Sequence, residues 1–83
     1  MPYAQACVKF YDGKIVLQSY ATDVCVIEND YLETTGLYSM TTRKHISAFL
    51  KGYAPLISFQ MAKACYLDDL KININTGEVV SLI

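Results

Sequence analysis

Through its first third the chain alternates apolar and polar positions two by two, and after Gly36 the spacing becomes helical. In "ACVKFY" Ala6, Val8 and Phe10 fall on one side of an extended segment, with Cys7, Lys9 and Tyr11 on the other. Asp12-Gly13 follows, a two-residue hairpin signal, because a type I′ turn needs positive φ at both central positions. "KIVLQSYA" returns as a second strand, with Ile15 and Leu17 facing one way and Val16 and Tyr20 the other. In "DVCVIE" Val24 and Val26 oppose Cys25 and Ile27, so this third strand is apolar on both faces and is expected at the centre of a sheet. Asn29-Asp30 makes the next turn, and "YLETT" a short fourth strand that ends at Gly36.

Ile46, Phe49, Leu50 and Tyr53 then recur at the spacing of one helix face. Ser39, Thr41 and Thr42 are each suited to cap this helix, Gly52 to follow it, and Pro55 prevents its continuation. Ser58 reads as the cap of a second helix from Phe59 to Leu67, closed by Asp68-Asp69. The tail reads as a hairpin. Ile72 and Ile74 alternate with Lys71, Asn73 and Asn75, Thr76-Gly77 turns, and "EVVSLI" returns. The pattern predicts a single α+β domain over residues 1–83, of order ββββ-αα-ββ, with a mostly antiparallel sheet and two short helices on one face.

Composition narrows the setting. A chain of 83 residues buries only a small core, and it compensates with 53% hydrophobic residues. Seven tyrosines and three phenylalanines exceed what such a core holds, which leaves rings for the surface. Tyr20, Tyr31, Tyr38 and Tyr53 are the candidate interface residues, although tyrosine also fills strand positions for its own sake. The net charge of −1 gives no global attraction to nucleic acid. The apolar runs are too short to span a bilayer and the N-terminus lacks the pattern of a signal peptide. Cys7, Cys25 and Cys65 cannot all pair within one chain and are expected to be reduced and mostly buried. A cytoplasmic protein is the expectation.

Candidate chemistry centres on Thr41, Thr42, Arg43, Lys44 and His45. With Thr42 as the cap, the cations stand in the first helical turn, where the backbone prefers acids, and the cluster suits an anion such as a phosphate. With Ser39 as the cap they move into the second turn and the conflict fades. Pairing with an acid such as Glu33 or Asp69 would also explain them. His45 has no second histidine or ligand at metal spacing, so neither a metal nor a cofactor is expected. Asp68-Asp69 and Asp30 with Glu33 fall at turns, and no phosphate loop or catalytic motif is present. The residues give no reason to expect an enzyme.

The segments "YATDVCVIEND", "GLYSMTTRKHISAFL" and "LDDLKININTGEVV" resemble a family of short, functionally uncharacterised proteins of bacteria, their phages and conjugative elements. The resemblance spans about residues 20–80. It implies a bacterial cytoplasm and a binding role, and it assigns no site residues. The expectation is a non-enzymatic interaction module that binds a protein of the host or phage, or itself. Binding of nucleic acid through residues 41–44 is the alternative.

Overall fold

Residues 6–36 and 39–82 are described by the computed structural model. Six strands form one antiparallel sheet in chain order: β1 (Ala6–Tyr11), β2 (Lys14–Ser19), β3 (Thr22–Glu28), β4 (Tyr31–Thr34), β5 (Leu70–Asn73) and β6 (Val79–Ser81). Helices α1 (Met40–Tyr53) and α2 (Phe59–Leu67) lie between β4 and β5 in sequence. The order is therefore the expected ββββ-αα-ββ, with β3 and β4 in the middle. Helix α1 packs over β2 and β3, and α2 over β4 and β5. Ile46, Phe49 and Leu50 of α1 meet Leu17, Cys25 and Ile27 in one buried cluster, which Ala62 and Cys65 of α2 extend to Leu32 and Ile72.

The turns follow their residues. Asp12 and Gly13 adopt φ of 52° and 74°, and Asn29 and Asp30 adopt 53° and 67°, the positive pairs that two-residue hairpins need. A third tight turn corrects the expected second strand. It stops at Ser19, and Tyr20, with φ of 58°, opens the turn into β3 rather than extending β2 to Ala21. Gly52 also differs from expectation. It lies inside α1, and Ala54 caps the helix by donating its N–H to the Leu50 carbonyl at 2.8 Å, just before Pro55. In the tail the strand stops at Asn73, whose side-chain oxygen accepts from the N–H groups of Asn75 and Thr76 at 2.8 and 3.1 Å. This turn takes Ile74 out of the strand, and Gly77 completes it with φ of 80°.

A bulge changes the meaning of the third strand. Leu17 pairs with Cys25 but Gln18 pairs with Asp23, so Val24 is an extra residue opposite β2. Val24 joins Cys25 in the core beneath the helices, where neither is exposed. The strand thus looks apolar on both faces mainly because the bulge shifts its phase. On the opposite face Val26 is half-buried between Val16, which is 1% exposed, and Glu33; around them Lys9 pairs with Asp23 at 3.0 Å, and Lys71 lies over the Tyr31 ring.

Candidate functional site

Helix α1 starts at Ser39. Its backbone is extended (φ −149°, ψ 171°) and its hydroxyl accepts the Thr42 N–H at 3.2 Å. The first intrahelical bond, from the Arg43 N–H to the Ser39 carbonyl, places Arg43 and Lys44 beyond the first turn. The dipole acts mainly within that turn, so the basic cluster is no longer at odds with it.

The five candidate residues divide between two sides of the helix. Thr42 and His45, three residues apart, face inward and are 2% and 3% exposed. Thr41 is half-buried, while Arg43 and Lys44 are exposed. Inside, the Ser39 hydroxyl donates to Thr42 Oγ1 at 3.3 Å. Thr42 Oγ1 lies 3.2 Å from Ser19 Oγ, which lies 2.8 Å from His45 Nδ1. This run of side-chain hydrogen bonds ties the start of α1 to the end of β2 and satisfies polar groups that would be costly to bury alone. A hydroxyl beside an imidazole is also the beginning of a nucleophile and its base. Ser19 is 2% exposed and its hydroxyl also lies against Thr42, while His45 borders the groove between β1 and α1.

Outside, Arg43 lies over the Phe59 ring, 4.9 Å from its centroid, with Nη1 near the Met40 sulfur. Neither Glu33 nor Asp69 pairs with it; among the described residues the ion pair is Lys9–Asp23. Arg43, Lys44 and Lys51 border a trough of about 500 Å³ between the two helices, with Ser47, Phe59 and Gln60.

The described candidate tyrosines do not share one surface. Tyr20 is half exposed at its turn, with its ring 6.0 Å from that of His45. Tyr31, on the sheet face away from the helices, donates its hydroxyl to Glu78 at 3.0 Å. Tyr53, at the end of α1, touches Phe49 and meets Phe10 of β1 edge-on at 5.9 Å. Tyr38 lies outside the described residues. Phe10 is the aromatic that the tyrosine count missed. It is 64% exposed, on the side of β1 where alternation grouped it with Ala6 and Val8. Beside this pair an apolar groove of about 250 Å³ runs between β1 and α1, bordered by Ala6, Val8, Leu17, Ala48, Phe49 and Tyr53.

Cys7 is exposed, while Cys25 and Cys65 are buried. Burial pushes the Cys25 thiol up to about 12, and burial followed by the Asp68 charge raises that of Cys65, so neither is poised as a thiolate. Among the described residues no group of three His, Cys, Asp or Glu side chains could hold a metal, and no helix is long and apolar enough to cross a membrane.

Residues 3–67, from before β1 to the end of α2, match a family of unknown function, DUF8033. The chain belongs to that family. The match takes in α1 with both its inward and outward sides, and it ends before the β5–β6 hairpin that the resemblance had included. No curated protein and no solved structure matches the chain.

Proposed function

We propose that this chain is a non-enzymatic interaction module that pairs with a second copy of itself through the outer edge of β1. The observation that carries this reading is the contrast between the two ends of the sheet. Edge strand β6 has three residues, whereas β1 has six in unbroken register with β2 and contains no proline. Natural edge strands are kept short, charged or bent to prevent unwanted pairing; β1 is neither short nor bent. Its single charge, Lys9, is occupied by Asp23 within its own sheet. Beside it stand an exposed aromatic pair, Phe10 and Tyr53, and an apolar groove. Antiparallel pairing about a two-fold axis joins two sheets into one and presents the same surface from both sides. From the resemblance of residues 20–80, we place this module in the bacterial cytoplasm, among proteins of phages and conjugative elements, where the same edge could take a strand of a host or phage protein.

Sedimentation of the full chain under reducing conditions tests the reading. A mass of two chains at high micromolar concentration supports it, together with a single-chain mass for Phe10→Lys of unchanged circular dichroism. A lysine on the edge adds a charge that pairing would have to bury. A single-chain mass for the parent at the same concentration overturns it, as does a dimer unaffected by Phe10→Lys.

A further inference from the structure

The carboxylates and the cations of this chain are sorted between its two layers. All eight Asp and Glu residues lie outside residues 34–67, in the strands, their turns and the segment after α2. Residues 34–67, which supply both helices, contain four of the seven cations: Arg43, Lys44, Lys51 and Lys63. All four are exposed, and no described carboxylate forms an ion pair with any of them. The net charge of −1 therefore conceals a cationic helical layer over an anionic sheet.

The cations on α1 are also arranged. Lys44 and Lys51 are seven residues apart, two helical turns along one side, which is about 10 Å of rise. Arg43 is next to Lys44, and its guanidinium lies over the Phe59 ring. A guanidinium held over an aromatic ring has less freedom to lose on binding an anion. Ser47 and Gln60 add neutral donors to the same trough. Arginine, lysine, serine and glutamine are side chains that commonly contact nucleic-acid phosphates.

We propose that the outward side of α1, with the trough toward α2, binds the phosphate backbone of nucleic acid without selecting its sequence. Arg43, Lys44 and Lys51 supply the phosphate contacts, and Lys63 on α2 adds to the field that attracts the strand. Thr42 and His45 take no part, because they point into the fold. An acidic polypeptide is the competing partner. Nucleic acid is favoured because the trough offers hydrogen-bond donors around its cations and has Arg43 already positioned, features suited to discrete phosphate groups. The site is separate from the outer edge of β1, so its failure leaves the self-association reading standing.

Fluorescence anisotropy of labelled mixed-sequence single strands and duplexes, measured over a salt series with the full chain, tests this. Three phosphate contacts predict that log K falls against log salt with a slope of about −2 for single strands and about −3 for duplexes. Arg43→Ala/Lys44→Ala/Lys51→Ala should bind at least about tenfold more weakly at low salt, with an unchanged melting curve, because each lost contact removes part of an electrostatic attraction. Lys14→Ala, on the sheet side, should bind as the parent does. Absence of saturable binding to either form at low salt overturns the proposal. So does equal binding by the triple variant, or tighter binding of a labelled polyglutamate peptide than of either nucleic acid.

Discussion

The two sides of α1 use side chains in opposite ways. Inward, Thr42, His45, Ile46, Phe49 and Leu50 are almost fully enclosed, and even the polar members have protein partners. Outward, Arg43, Lys44 and Lys51 are exposed and meet no carboxylate, and Arg43 contacts a ring instead. Enclosed groups are held in place by burial and hydrogen bonds, so changing them should act on stability. Exposed cations gain little from the fold and are available to a partner. One helix thus attaches to the sheet on one side and presents charge on the other.

Substitutions that separate the two sides sharpen this contrast. Phe49→Ala should have the largest effect, about 3–5 kcal/mol lost from the free energy of unfolding, because it empties a site where α1 meets the sheet. Urea unfolding measures it, and a loss below about 1 kcal/mol would show that α1 is not held by this face. Cys25, in the same core, gives the next effect through pH. Burial raises its thiol from 9.0 to about 12, so the folded chain retains a proton that the unfolded chain releases in that interval. Its contribution is complete below the lower value and is lost as pH rises toward the upper one, in total by up to about 4 kcal/mol. Cys25→Ala should flatten the fall of stability with pH in that window. Parallel curves for parent and variant would contradict the assignment.

His45→Ala should cost less, about 2 kcal/mol. It leaves the Ser19 hydroxyl with one partner fewer inside the fold. The same denaturation series should find the outward triple variant within about 0.5 kcal/mol of the parent, as is usual for exposed positions. A His45→Ala chain as stable as the parent would mean that solvent reaches this cluster. A triple variant less stable than His45→Ala would erase the distinction between the sides.

Much of this was legible in the residues. Asp12-Gly13 and Asn29-Asp30 marked their turns because few side chains tolerate positive φ, and Ser58 marked the start of α2 because its hydroxyl can cap a free N–H. The charge sorting was also legible, since residues 34–67 contain no Asp or Glu, but a search for local motifs passes over a long absence. Three capping residues in four positions could not be ranked from sequence, because each satisfies the same local rule.

The sequence by itself determined the order of elements, the turns at Asp12-Gly13 and Asn29-Asp30 and the face that α1 buries, since these depend on residues close together in the chain. Tertiary structure decided the bulge at Val24, the contact of Ser19 with His45 across 26 positions, the seat of Arg43 on Phe59 and the exposure of Phe10 beside Tyr53. Each of these depends on how one element is registered against another. Registration is set by the packing of the whole core, which no local pattern contains.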